Sequence, residues 1–190
     1  GPFDRQVLNL AGALAGVDFG STKLGSTLEI EIGHGGSVLA AKGQLQADQF
    51  SLTQQGKTTT AMDLRVGFSG SADLNGKVAR LETLSLSASQ SQQPLLSGGL
   101  ARPVTINWGG PRLTWGDSAF DLAVTNFNLA DWRSFVGDTI LAGRLNLRLK
   151  LLADREGRLL KTDLDGDLQQ LATQAGSNRL DRVDVRFQLA

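Results

Sequence analysis

Residues 143–172 read GRLNLRLKLLADREGRLLKTDLDGDLQQLA, and the stretch divides cleanly by alternate positions. Leu145, Leu147, Leu149 and Leu151 fall on one side, with Arg144, Asn146, Arg148 and Lys150 on the other. After Asp154-Arg155-Glu156-Gly157, Leu160, Leu164 and Leu168 stand against Asp163, Asp165 and Asp167. A period of two is that of a strand with one apolar and one wetted face. A turn centred on 154–157 pairs Leu147 with Leu164 and Leu151 with Leu160. It sets Arg148 against Asp163, Asn146 against Asp165 and Arg144 against Asp167. Slipping one residue would place leucines opposite aspartates, so the faces are strongly specified. The final strand repeats the pattern, Val183, Val185, Phe187 and Leu189 alternating with Arg182, Asp184 and Arg186.

The remaining chain carries the same signal. Leu28, Ile30 and Ile32 alternate with Thr27, Glu29 and Glu31 before the tight turn Gly33-His34-Gly35-Gly36. Leu39, Ala41, Gly43 and Leu45 follow, then Phe50 and Leu52, then Met62, Leu64, Val66 and Phe68. Asn75-Gly76 predicts a hairpin, because both residues accept positive φ. Leu84, Leu86 and Ala88 make the next strand. Pro94, Pro103 and Pro111 predict irregular connections and edge strands, since proline lacks the ladder N–H. Val104, Ile106 and Trp108 form a brief strand there, and Phe120, Leu122 and Val124 another. Helical spacing is confined to 3–16 (Phe3, Val7, Leu10, Ala11, Leu14) and to Leu129–Val136, with Asn128 as its cap.

About ten strands and two short helices are thus expected, in an all-β, mostly antiparallel meander. Gly1-Pro2 has the form of a protease scar. Residues 3–190 are read as one domain, with 17–127 as its first β part and 128–190 as a short helix plus three long strands. Two short helices cannot cover so many apolar faces. The sheet must meet another sheet as a closed β-sandwich, curl on itself, or line a cavity that holds a ligand.

Composition narrows the chemistry. Basic and acidic residues balance at 19 each, which gives no sequence-wide attraction to nucleic acid or to an anionic membrane, although balanced totals can hide a patch. No cysteine is present, so there is no thiolate chemistry. The absence of tyrosine, with only three Trp and eight Phe, argues against the aromatic girdles of an outer-membrane barrel. No apolar run approaches the ~20 residues of a membrane helix. His34 is the single histidine and stands in a glycine turn, without partners for a triad or a zinc site. Asp163, Asp165 and Asp167 have the opening spacing of a calcium loop, but Leu168 and Gln174 occupy the positions that need Gly and Glu. Glu29 and Glu31 read as a solvated strand face. Trp108 and Trp115, with Arg112 between them, read as loop anchors. No catalytic residues, metal or cofactor are expected, and nothing points to an enzyme.

The segment FNLADWRSFVGDTILAGRLNLRLKLLADREGRLLKTDLDGDLQQLA, continuing to NRLDRVDVRFQLA, resembles the AsmA-like superfamily of AsmA- and TamB-type proteins. The similar features are a short Leu…Trp…Phe helix ending in glycine, the AGRLNL strand start and the pair ending DLDGDLQQL. The preceding LETLSLSASQSQQPLLSGGLARPVTINW is also similar, so about half the chain is covered. The resemblance implies a taco-like β-groove, apolar inside, that carries phospholipids across the Gram-negative periplasm. It implies a parent protein anchored in the inner membrane, and docking on an outer-membrane β-barrel assembly protein. It also implies groove-lining roles for Leu145, Leu147, Leu149, Leu151, Leu160, Leu164, Leu168, Val183, Val185, Phe187 and Leu189.

Overall fold

A computed structural model describes residues 17–54, 56–133, 139–155 and 157–190. The strands are β1 (Val17–Asp18), β2 (Lys23–Gly33), β3 (Val38–Phe50), β4 (Thr53–Gln54), β5 (Lys57–Thr58), β6 (Met62–Asp73) and β7 (Val78–Gln90). They continue with β8 (Gln93–Arg102), β9 (Val104–Asn107), β10 (Thr114–Trp115), β11 (Ser118–Asn128), β12 (Ile140–Asp154), β13 (Leu159–Ala175) and β14 (Asn178–Leu189). One large antiparallel sheet runs β14-β13-β12-β11-β8-β7-β6-β3-β2, with β9 and β10 attached beside β7. Its end strands β2 and β14 do not pair with each other, so it is not closed into a barrel. A small sheet, β1-β4-β5, stands apart. The all-β, antiparallel expectation therefore holds.

No α-helix is seen among the described residues. Residues 3–16 lie outside the described residues. At the second site Leu129–Trp132 is a 3-10 turn, not an α-helix, although Asn128 caps it as expected by accepting from the Ala130 N–H at 3.2 Å. Residues 134–136 of the expected helix lie outside the described residues.

The hairpin register also differs. Asp154 pairs with Leu159, and the turn spans Arg155–Arg158, with Arg155 and Gly157 at positive φ. This moves the pairing by two residues from the expected one. Leu149 meets Leu164, Leu145 meets Leu168, Lys150 meets Asp163, Arg148 meets Asp165 and Asn146 meets Asp167. Arg148 and Arg144 are thus not opposite Asp163 and Asp167. A shift of two leaves each side chain on its original face, which is why alternation alone did not exclude it.

The proline segment is a third correction. β8 is an interior strand between β7 and β11 rather than an edge. Pro94 falls at a register shift against β7, Pro103 in the break between β8 and β9, and Pro111 in the β9–β10 connection. Each proline stands where the ladder is already interrupted.

Alternation of strand direction sorts the connections to two ends. Residues 34–37, 74–77, 108–113 and 155–158 gather at one, hereafter the turn end. The other, the core end, holds every buried apolar residue described: Ala47, Met62, Ala88, Leu95 and Leu129. Phe50, Leu64, Leu96, Phe127 and Trp132 pack around the cluster of Met62, Ala88 and Leu95, Phe127 stacking on Trp132 with ring centroids 5.3 Å apart. Three strands that descend to the core end carry a bulge there, at Gln49, Asn126 and Gln170, each at positive φ. Such bulges bend a strand and increase its twist.

Candidate functional site: the apolar face of the sheet

The register carries one apolar face across nine strands. Cross-strand rows read Leu28–Gly43–Phe68–Leu84 through β2, β3, β6 and β7. Leu86–Gly98–Leu122–Leu149–Leu164–Leu189 continue from β7 to β14. A parallel row runs Ala88–Leu96–Val124–Leu147–Gly166–Phe187. Directly opposed side chains share a face, so all these residues project to one side.

Every site residue expected from the sequence falls on this face. Leu145, Leu147, Leu149 and Leu151 line β12, Leu160, Leu164 and Leu168 line β13, and Val183, Val185, Phe187 and Leu189 line β14. Those of β12, with Leu164, Leu168 and Val183, are half-buried. Leu160, Val185, Phe187 and Leu189 are exposed, Leu160 by 67% and Leu189 by 60%. At the opposite edge Leu28 and Ile30 of β2 are exposed by 62% and 57%. The face thus extends well beyond the last three strands. Leu28, Ile30, Val66, Phe68, Leu86, Leu122 and Val124 belong to it equally, and their period-two spacing had marked them as strand faces without linking them to the same surface.

Glycines smooth this face where large side chains lie across the neighbouring strand. A Cβ at Gly43 would stand 2.6 Å from Phe68 Cζ, and one at Gly166 would overlap the Phe187 ring. At Gly98 the same position is taken by Leu122 Cδ1, 2.7 Å away. Large apolar groups are thereby laid flat over backbone, as in aromatic rescue of strand glycines.

The other face is mainly polar, with Leu152, Leu159, Ala119 and Ala123 as apolar exceptions among charged and hydroxyl side chains. Lys42 Nζ lies 3.0 Å from Glu29 Oε2. That hydrogen-bonded partner raises the Lys42 pKa above 10.5, chiefly through the bond itself and then through the carboxylate charge. Asn146 joins three strands: its Oδ1 accepts from the Asn126 N–H at 2.8 Å and its Nδ2 donates to Asp167 Oδ2 at 3.1 Å. Asp163, Asp165 and Asp167 stand opposite Lys150, Arg148 and Asn146. No group of three His, Asp or Glu able to hold a metal occurs among the described residues. His34 begins the 3-10 turn His34–Gly36 and is exposed. Trp108 and Trp115 are partly exposed on either side of the β9–β10 connection that carries Arg112.

A depression of about 740 Å³ opens at the turn end of β12–β14, where Leu151, Leu160 and Leu189 adjoin Lys150 and Lys161. None of the described helical segments is long and apolar enough to cross a membrane. No family model, curated protein or solved structure matches this chain.

Proposed function

We propose that the apolar face binds phospholipid acyl chains within an open, taco-like β-groove, and that the chain is a segment of a periplasmic conduit between inner and outer membrane. The observation that carries this reading is the exposed aliphatic surface at both edges of the face, at Leu28 and Ile30 and again at Leu160 and Leu189. Monomeric proteins rarely expose a contiguous apolar surface of this extent unless it meets a ligand or partner. The role is one of binding and transport rather than catalysis, in a parent protein anchored in the inner membrane.

The chemistry of the face suits such a cargo. Its side chains are mainly Leu, Val, Ala and Phe interspersed with Gly, with isolated hydroxyls such as Ser26 and Thr162 and no charged group among the described residues. Burying hydrocarbon taken from water gains about 0.8 kcal/mol per CH₂. Moving the same chain from a bilayer into an apolar groove is nearly neutral, which favours passage over retention. Polar residues on the opposite side keep the sheet wetted there.

A second reading rests on the two unpaired sheet edges. Among the described residues β2 and β14 each have one neighbour only. An extended strand of an outer-membrane β-barrel assembly protein could add to β14 by backbone hydrogen bonding.

The test is to purify the chain from Gram-negative cells, extract it with solvent and identify co-purifying phospholipid by mass spectrometry. Lipid should be present, and Leu147→Arg should abolish it while the protein stays folded by circular dichroism. No lipid in the unsubstituted chain, or unfolding of Leu147→Arg as in a close-packed sandwich, would sink the proposal.

A further inference from the structure

The four connections at the turn end form one continuous ribbon. Leu74 N donates to Ser37 O at 2.8 Å, and Trp108 N donates to Lys77 O at 3.0 Å. Gly109 sits against Lys77, where an added Cβ would stand 3.4 Å from the lysine Cβ. Gly157 sits likewise against Trp115, at 3.3 Å. The turns of β2–β3, β6–β7, β9–β10 and β12–β13 therefore adjoin in order.

The ribbon has two properties that the core end lacks. Leu74, Trp108, Leu113 and Trp115 are all exposed on it, whereas Leu180 and Val185 are the large apolar residues exposed toward the core end among the described residues. The turns themselves are also basic: segments 74–77, 108–113 and 155–158 carry Lys77, Arg112, Arg155 and Arg158 against Glu156, with Asp73, Asp117 and Asp154 at their bases. Two of these carboxylates are engaged within the fold. Asp73 accepts from the Gly76 N–H at 2.8 Å, and Asp154 lies 3.5 Å from Arg102 and 3.9 Å from Lys161.

We propose that the turn end docks on a lipid surface bearing anionic headgroups. Trp108, Leu113, Trp115 and Leu74 enter the interfacial layer, and Lys77, Arg112 and Arg155 meet the phosphates. Tryptophan suits that layer because its ring is apolar while its N–H stays hydrated. Long basic side chains bury their stems along the apolar tips and keep their charge at the headgroups. A protein-binding patch would instead concentrate its aromatics centrally and exclude lysine from among them. Docking does not depend on lipid in the apolar face, but it would bring that face against the bilayer at Ile32, Leu160 and Leu189, its exposed outermost residues.

The test uses the whole chain with vesicles of phosphatidylcholine, alone or mixed with phosphatidylglycerol. Co-sedimentation with the mixed vesicles is expected, with weaker binding to the neutral ones. Lys77→Gln and Arg112→Gln should each lower partitioning about fivefold, and Leu113→Ser should lower it for both vesicle types. Quenching of tryptophan emission by brominated acyl chains should report insertion without any substitution. No sedimentation, or binding unchanged in Arg112→Gln and Leu113→Ser, overturns the proposal. Capture of a protein by a photo-crosslinker at residue 113 without vesicle binding also overturns it, in favour of a protein contact. A chain that sediments with vesicles but carries no lipid keeps the docking surface and loses the acyl-chain reading. The reverse result removes docking alone.

Discussion

The backbone N–H of Gln170 donates to Asp184 Oδ1 at 2.7 Å across the bulge between β13 and β14. The arrangement occurs twice more. Gln49 N–H donates to Asp63 Oδ1 at 2.9 Å, and Asn126 N–H donates to Asn146 Oδ1 at 2.8 Å. In each case a residue at positive φ leaves the ladder, and a short side chain on the next strand accepts its stranded donor. We expect Asp184→Ala to destabilise the chain by about 1 kcal/mol, the usual net worth of such a bond. Hydrogen exchange should quicken selectively at the Gln170 amide. Asp184→Asn keeps an acceptor and should retain protection.

Glycine replacement should separate close approach from ordinary strand positions. A Cβ at Gly166 meets the Phe187 ring, so Gly166→Ala should cost about 1–3 kcal/mol through overpacking. Nothing lies within 4 Å of the corresponding point at Gly25. Gly25→Ala should therefore stabilise by about 0.4–1 kcal/mol, by restricting the unfolded chain. Urea unfolding of both variants checks the contrast, and equal effects would refute it.

How much of this was legible follows from what period two can encode. Leu145–Leu151 and Asp163–Asp167 declare their faces, and the structure keeps both sets of faces. Register is a separate matter, because a shift of two changes partners without changing sides. It was set by Arg155 and Gly157, which take positive φ and move the turn along. The bulges were invisible as single residues but not as a pattern. Asp48-Gln49, Thr125-Asn126 and Gln169-Gln170 each place two polar residues between Ala47 and Phe50, Val124 and Phe127, or Leu168 and Leu171, which breaks the alternation. β8 was hidden by Pro94 and by Gly98-Gly99, whose missing side chains make room for Leu122 and for the backbone at Leu84. The extent of the apolar face depended on which strands are neighbours, and that is information of long range.

Lys42 offers a pH test. Glu29 raises its pKa above 10.5, so the ammonium form is favoured in the folded chain. The resulting stability is fully present below the unfolded pKa and is lost as pH climbs through the raised folded value, in the alkaline range above 10.5. NMR titration of the Lys42 side chain should give a midpoint above 10.5, and Glu29→Gln should lower it. An unchanged midpoint in that variant would contradict the pairing.

The hairpin register can be tested by charge exchange. Lys150 stands directly opposite Asp163, whereas the register expected from the sequence set Arg148 there. Lys150→Glu places like charges across the pair and should destabilise by a few tenths of a kcal/mol up to about 1 kcal/mol. Combining it with Asp163→Lys should restore most of that loss, because the pair is recovered with its signs exchanged. A parallel cycle on Arg148 and Asp163, which are diagonal rather than opposed, should show a smaller coupling energy. Both cycles can be measured by chemical denaturation at low salt, where screening of these exposed charges is weakest. Equal coupling in the two cycles, or a larger one for Arg148, would mean that β12 and β13 pair two residues away from the observed register.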